Sequence, residues 1–166
     1  MNSNTGTSDL VITGIDPGLV HTGVVRIELL RDLRMIYVSS YAFPGLDPVP
    51  IRTWLDQFRE YQGPVYVEAY RPRSHFDTDA RMQKGVQDIA KLLGGKIVNN
   101  TGVKKIITPD LMNVFGLSNF RATHHQDLEA AARIALYGAV KDKELNPRLS
   151  QVVADHLANK PWHVNN

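Results

Sequence analysis

Three acidic residues lie where the sequence changes from an apolar run to a polar one. Asp16 follows an apolar segment and precedes Pro17-Gly18, Glu68 ends a short run of Val and Tyr, and Asp127 lies near the start of a helical pattern. Taken singly, they could be a turn former, a surface carboxylate and a partner of a helix dipole. Carboxylates that converge repel one another, and a divalent cation turns that repulsion into a binding site. The three residues together therefore predict a metal site.

His124 precedes Asp127 by three residues. If Thr123 caps the helix, this spacing places both side chains on one face of the first turn. An imidazole in that position could bind a metal or move a proton at an attacking water. The predicted catalytic and metal-binding residues are therefore Asp16, Glu68, His124 and Asp127, whereas His125 is assigned to the polar surface.

The ligand types indicate the chemistry of such a site. Two Mg²⁺ ions about 4 Å apart, with Mn²⁺ as a substitute, can activate a water and stabilise the leaving oxygen of a phosphodiester. Structural zinc sites instead use sets of Cys and His, and the chain contains 0 Cys. The sequence thus favours a hydrolase with two metal ions per active site.

Basic residues cluster between the second and third acidic positions. The net charge is only +2, from 19 Lys+Arg and 17 Asp+Glu, so overall charge does not identify a partner. The clustered residues could form a phosphate-binding groove or a solvated face. They are Arg71, Arg73, Arg81, Lys84, Lys104 and Lys105.

The elements that must position these residues form a mixed α/β pattern. Strands are predicted at 10–16, 22–29, 35–43, 65–68 and 97–98, and helices from 51 to a stop at Gly63-Pro64, at 77–93, at 109–115, from 123 onward and at 147–157. The segment 44–50, rich in proline, is predicted to be a loop. Thr123 and Gln126 have the spacing of a capping box, and the alanines that follow suit close packing on a sheet. The expected architecture is a five-stranded mixed sheet with helices packed on it.

Composition indicates one globular domain. The chain has 166 residues, of which 43% are hydrophobic and 22% charged, as is usual for such domains. The expected boundaries are a polar tail at 1–9, a domain at 10–158 and a second tail at 159–166. No run approaches the roughly 18 apolar residues of a membrane span, and the first residues lack the features of a signal peptide. A cytoplasmic protein without membrane contact is expected.

The motifs resemble those of one known family. The segment from Ile12 to Gly23, which reads ITGIDPGLVHTG, resembles the first motif of the RuvC-type Holliday-junction resolvases. Val65-Tyr-Val-Glu68 is similar to their second acidic strand, and HHQDLEAA, beginning at His124, is similar to their final metal-binding helix. A helix containing Gly85 lies where the family has its own. The resemblance covers nearly the whole chain in order and spacing.

The resemblance implies a ribonuclease H-like fold with helices on both faces of the sheet. It also implies a homodimer that nicks four-way DNA junctions symmetrically with Mg²⁺, with its interface on the helix at 77–93. Asp16, Glu68 and Asp127 would hold metal, and His124 occupies the family's variable Asp/His position. The basic cluster would then bind DNA. The family's junction-wedging aromatic does not align cleanly, so Tyr70 and Phe76 are both candidates.

Three other interpretations remain open. The segment from Gly14 to Gly23 also resembles the first phosphate loop of actin-like and sugar-kinase ATPases, but the matching second loop and adenosine motif are absent, so no nucleotide cofactor is expected. The chain could be a junction-binding module without activity. It could also be a ribonuclease H-like nuclease with a different nucleic-acid substrate, as in terminase nuclease domains or RNA processing.

Overall fold

The computed structural model of the protein describes residues 10–58, 63–121 and 123–166. The predicted N-terminal tail at 1–9 lies outside the described residues. None of the helices within the described ranges is both long and apolar enough to span a membrane.

A six-stranded mixed sheet forms the centre of the molecule. Its order is β5-β4-β1-β2-β3-β6. The strands are β1 (Leu10–Asp16), β2 (His21–Leu30), β3 (Met35–Pro44), β4 (Val65–Glu68), β5 (Lys96–Val98) and β6 (His163–Asn165). The first three form an antiparallel meander, whereas β4 pairs with β1 in parallel and β5 with β4 in parallel. Because parallel strands end at the same sheet edge, the ends of β1 and β4 lie side by side.

Helices cover both faces of this sheet, as predicted. They are α1 (Pro48–Asp56), α2 (Phe76–Leu93), α3 (Val103–Ile106), α4 (Pro109–Val114), α5 (His125–Lys141) and α6 (Asn146–Leu157). The last four pack with one face of the sheet into a large core, and α1 and α2 pack on the other face into a smaller one. The four-residue α3 was not anticipated.

The long helix α5 approaches the sheet unusually closely. Ala131 and Ala135 are fully buried against β1. A Cβ atom added to Gly14 of β1 would lie 1.9 Å from the Ala131 carbonyl oxygen. Small residues on both elements therefore allow backbone-to-backbone packing, as the alanine pattern predicted, and fix the position of α5.

The expectation of five strands was wrong by one. The sixth strand, β6, lies in the segment assigned to a C-terminal tail and pairs with β3 in parallel, His163 beside Met35. Trp162 anchors it, because its ring is buried in the large core and its Nε1 donates to the Asp155 carboxylate at 2.8 Å. A three-residue strand is too short to show alternation, so the tryptophan was its only sequence signal.

The first helix begins earlier than predicted, within the expected proline-rich loop. The Asp47 side chain accepts a hydrogen bond from the Val49 backbone N–H at 3.0 Å, and Pro48 occupies the first turn. Proline suits that position because its missing N–H has no partner inside the helix. The helix ends at Asp56, before the Gly63-Pro64 pair that was predicted to terminate it. The segment was therefore a helix start with a cap and not a loop.

Candidate active site

Asp16 and Glu68 form the centre of the site at the shared edge of β1 and β4. The register places Ile15 beside Val67, so the next residue on each strand carries its carboxyl group to the same place. Burial, a hydrogen bond to Glu68, and repulsion from Glu68 and Asp127 together raise the pKa of Asp16 to about 9. Without a cation, Asp16 therefore keeps its proton at neutral pH.

Asp127 reaches this edge from the first turn of α5. A Cβ atom added to Gly23, at the start of β2, would lie 2.5 Å from the Asp127 backbone oxygen. Strand β2 thus supports the helix start directly, and the charge of Asp127 is close enough to raise the pKa of Asp16. The predicted convergence of the three acids is what the geometry gives.

The predicted N-cap of α5 was wrong. The helix begins at His125 with His124 as its cap residue, one position after Thr123. His124 has φ −105° and ψ 40°, outside the helical range. Its ring packs against that of His21 with centroids 3.8 Å apart and planes inclined by 31°. The helix therefore starts one residue after His124, whose ring makes this contact with His21.

His21 is a site residue that the sequence analysis did not select. His21, His124 and Asp127 each offer one ligand atom, and these three atoms lie within 4.8 Å of one another. The signal available was its place in the first motif, five residues after Asp16. His21 is the first residue of β2, directly after the tight turn that follows β1, so the chain returns it to the same sheet edge.

The donor set of this edge fits a divalent metal. It offers carboxylate oxygens from Asp16, Glu68 and Asp127, which suit Mg²⁺, and imidazole nitrogens from two histidines, which suit first-row transition metals. The hydrogen bond between Asp16 and Glu68 requires a carboxyl group that keeps its proton. A divalent cation would instead stabilise both groups as carboxylates. The Asn100 side-chain amide donates to Glu68 Oε1. This contact orients the carboxylate as second-layer contacts do around metal ligands.

The raised pKa of Asp16 would make the binding of a metal ion at this edge dependent on pH. Without metal, the folded chain keeps a proton that the unfolded chain releases near its ordinary value of 3.8. This contribution to stability is full below that pH and is lost as the pH rises toward about 9. Metal must displace the proton, so Mn²⁺ affinity should rise by up to about tenfold per pH unit between about pH 6 and about pH 8.

Calorimetric titration of wild type and Asp16→Asn with Mn²⁺ across that range would check this. The variant lacks the competing proton, so its weaker binding should change much less with pH. An equal pH dependence in both proteins would assign the displaced proton to another group.

Two depressions extend from the acidic pair. The larger, of about 770 Å³, runs between α3 and α5. The smaller, of about 230 Å³, runs along the loop that follows β4. Both are lined by Asp16, Glu68, Arg71 and Asn100. Together they form a continuous cleft with the carboxyl groups at its middle, which is the arrangement needed to hold an extended chain across a reactive centre.

The cleft gathers some of the predicted phosphate-binding residues and leaves others outside. Lys104, Lys105 and Arg71 line the larger depression, and Tyr70 and Arg73 the smaller. The Arg71 guanidinium donates to the Thr101 hydroxyl group. The larger depression is also lined by Gln126, Glu129 and Arg133 of α5, which the sequence pattern did not single out as site residues.

Three predicted residues on α2 line neither depression. Phe76 is 89% exposed at the start of the helix, and Arg81 is exposed one turn further along. Lys84 forms an exposed salt bridge with Asp88 at 2.7 Å. The sequence cluster therefore divides in space into a cleft group and a helix-surface group.

Asp79 organises the loop between β4 and α2. Its carboxylate is buried and accepts hydrogen bonds from the Tyr70 hydroxyl at 2.7 Å and from the backbone N–H groups of Arg73 and His75. The Tyr70 hydrogen bond is the largest cause that lowers the pKa of Asp79. Tyr70 is thus tied to the protein, and Phe76 is the aromatic of this region that faces solvent.

The comparisons with known proteins address the fold. No family model matches the sequence, and no curated protein matches it. The structure of Thermus thermophilus RuvC in complex with a Holliday-junction substrate has 19% sequence identity and a TM-score of 0.56, covering 76% of this chain and 91% of that chain. A second Thermus thermophilus RuvC structure has 18% identity and a TM-score of 0.53, covering 85% and 97%. The chain has the ribonuclease H-like fold of RuvC.

The overlap with RuvC extends along most of both chains, so the predicted fold is confirmed. At this level of identity, fold does not determine activity. The function of this RuvC-like chain therefore has to be argued from its own side chains.

Proposed function

We propose that the chain is a metal-dependent endonuclease that resolves Holliday junctions or other branched DNA by paired nicking. The observation that carries this proposal is the pairing of Asp16 and Glu68 at the middle of a basic cleft on a RuvC-like fold, with Asp127 close enough to raise the pKa of Asp16. An inactive junction-binding module would have no need to keep a carboxyl pair whose mutual repulsion raises a pKa.

In this proposal, Asp16, Glu68, His124 and Asp127 hold two divalent ions, Mg²⁺ or Mn²⁺. Bound there, the ions supply an activated water and positive charge at the leaving oxygen. Asn100 occupies one oxygen of Glu68 and fixes the direction of the other. The first turn of α5 carries Asp127, which lies close enough to the acidic pair to raise the pKa of Asp16.

The DNA backbone would follow the cleft. Arg71, Lys104 and Lys105 lie beside the acidic pair and would contact phosphates on either side of the cut. Such contacts supply affinity and register but do not read bases. Arg73 extends the path toward α2. On α2 the remaining predicted DNA-binding residues, Arg81 and Lys84, would contact a neighbouring arm.

Phe76 is the better candidate for the aromatic that enters the junction. Its ring is almost fully exposed, whereas Tyr70 is half-buried and hydrogen-bonded to Asp79. An exposed aromatic can stack on bases that lose their neighbours at a branch point. In this proposal Tyr70 supports the loop, and Phe76 contacts the bases.

Paired nicking requires two active sites related by the two-fold symmetry of the junction, which a homodimer provides. The interface would draw on α2, as the resemblance implies. Leu92 on α2 and Ile97 on the adjacent edge strand β5 are 44% and 48% exposed and would contribute apolar area.

A cleavage assay on four-way, three-way and linear DNA, each with Mg²⁺, Mn²⁺ or EDTA, tests the proposal. We expect paired symmetric cuts in the four-way junction, weaker cutting of the three-way junction, intact linear DNA and no cutting in EDTA. Asp16→Asn purified in parallel controls for contaminating nucleases. Equal cutting of linear DNA would indicate another nucleic-acid substrate, and binding without any cutting would indicate the inactive module.

A further inference from the structure

His21 gives this site a second imidazole, which the proposed function does not use. We propose that His21, His124 and Asp127 form one metal position that takes Mn²⁺, or another first-row transition metal ion, in preference to Mg²⁺. This inference rests on the proposed metal-dependent function and concerns which ion one half of the site selects.

The distances allow all three side chains to bind the same ion. Their ligand atoms lie within 4.8 Å of one another. Donors bonded to one such ion at about 2.0 to 2.2 Å stand about 3 to 4 Å apart. A small rotation of the two imidazoles, whose rings are already in contact at 3.8 Å, closes the set onto one ion.

The turn that directly precedes His21 is fixed in place. The hydroxyl group of the next residue, Thr22, donates to the Gly45 carbonyl at 2.6 Å and accepts from the Gly18 backbone N–H at 3.3 Å. The Gly45 N–H donates in turn to the Val20 carbonyl at 2.8 Å. His21 is therefore held at this edge before any metal binds, which lowers the entropic cost of using it as a ligand.

The other side of the position is equally constrained. Asp127 lies in the first turn of α5, whose backbone rests directly on Gly23. His124 caps the same helix. His124 and Asp127 thus lie at the start of α5, which packs directly against β2, and His21 is the first residue of β2. The fold therefore sets the distances between the three ligand atoms.

Ligand chemistry then separates two kinds of ion. Mg²⁺ prefers oxygen ligands in octahedral geometry and keeps several waters, whereas imidazole is a ligand of the first-row transition metals, whose affinity for nitrogen ligands rises along the series from Mn²⁺ onward. Two imidazoles and one carboxylate are a poor Mg²⁺ site. The Asp16–Glu68 pair is rich in oxygen and suits Mg²⁺. The two halves of the site should therefore differ in metal preference.

A simpler role for His21 would be to hold the ring of His124 by stacking. The substitution His21→Phe separates the two roles, because Phe keeps an aromatic ring in the contact and removes the ligand nitrogens. His125→Phe is the matched control, since His125 is exposed and follows His124 directly in the sequence.

The test is calorimetric titration of wild type, His21→Phe and His125→Phe with Mn²⁺ and with Mg²⁺. We expect His21→Phe to weaken the tighter Mn²⁺ binding about tenfold or more and to change Mg²⁺ binding less than about twofold. His125→Phe should match wild type for both ions. Pulsed electron paramagnetic resonance of the Mn²⁺-loaded wild type should show modulation from two imidazole nitrogens, and His21→Phe should show one.

Unchanged Mn²⁺ binding in a folded His21→Phe, or modulation from a single nitrogen in wild type, would overturn this inference and leave the nuclease proposal standing. If wild type binds neither ion, the proposed function fails as well. Melting in EDTA establishes that the variants fold. Should His21→Phe not fold, His21→Asn replaces it and should lower the ratio of Mn²⁺ to Mg²⁺ affinity, while the nitrogen count in wild type remains decisive.

Discussion

Asp16→Asn should slow junction cleavage on the order of a thousandfold, because losing a metal ligand removes several kcal/mol of transition-state stabilisation. Junction binding should stay within about threefold of wild type, since phosphate contacts supply the affinity. It could even tighten, because the substitution removes a carboxyl group from the middle of a basic cleft. Glu68→Gln and Asp127→Asn should behave in the same way.

Single-turnover cleavage of a labelled four-way junction, together with a binding titration in Ca²⁺, would measure both quantities for each variant. Glu144→Gln is the control, because Glu144 is an exposed carboxylate away from the cleft. Cleavage by any of the three variants at a rate near that of wild type would remove that carboxylate from the catalytic set. A loss of binding equal to the loss of cleavage would indicate a folding defect instead.

The acidic pair was predictable because it depends on strand ends alone. Asp16 and Glu68 each end a short apolar run, and two parallel neighbours must bring their ends together. His21 was not found from the pattern, because its place depends on how tightly the turn after Asp16 is closed. That closure comes from Thr22 and Gly45, which are 23 residues apart. Periodicity carries no information about such a contact.

The basic residues illustrate a different limit. The clustered basic residues could have formed one groove or a solvated face, and the structure divides them, because Arg81 and Lys84 lie on the outer surface of α2. Lys104 and Lys105 reach the cleft because β5 returns the chain to the sheet edge and α3 turns it beside α5. The clustering of basic residues in the sequence therefore indicated a basic surface, but it did not show which of these residues line the cleft. The sixth strand was missed for a related reason. A strand of three residues shows no pattern of its own and forms by pairing with its neighbour, here β3.

Because α5 packs so closely on the sheet, the substitution Gly23→Ala should lower both stability and cleavage. Gly23→Ala would place a Cβ atom 2.5 Å from the backbone oxygen of Asp127 and 3.2 Å from its Cβ atom. Backbone atoms of a helix cannot move aside as a flexible side chain can, so the first turn of α5 must shift. We expect a loss of about 1 to 3 kcal/mol of stability from the overpacking. Cleavage should fall about a hundredfold, because the shift displaces Asp127 from Asp16.

Two further glycines make this prediction graded. Gly14→Ala meets the Ala131 carbonyl oxygen at 1.9 Å and should destabilise the protein more than Gly23→Ala. Gly95→Ala meets side-chain atoms of Val67 and Val65 at 3.1 and 3.3 Å, away from α5, and should cost least.

Urea unfolding gives the stability order, and Mn²⁺ titration at a temperature where each variant is folded gives the effect on the site. Gly23→Ala should weaken Mn²⁺ binding although Gly23 contributes no ligand, whereas Gly95→Ala should leave it unchanged. Equal Mn²⁺ affinity in both variants would mean that α5 holds Asp127 and His124 in place without the support of β2, and that the closeness of helix and sheet serves stability alone.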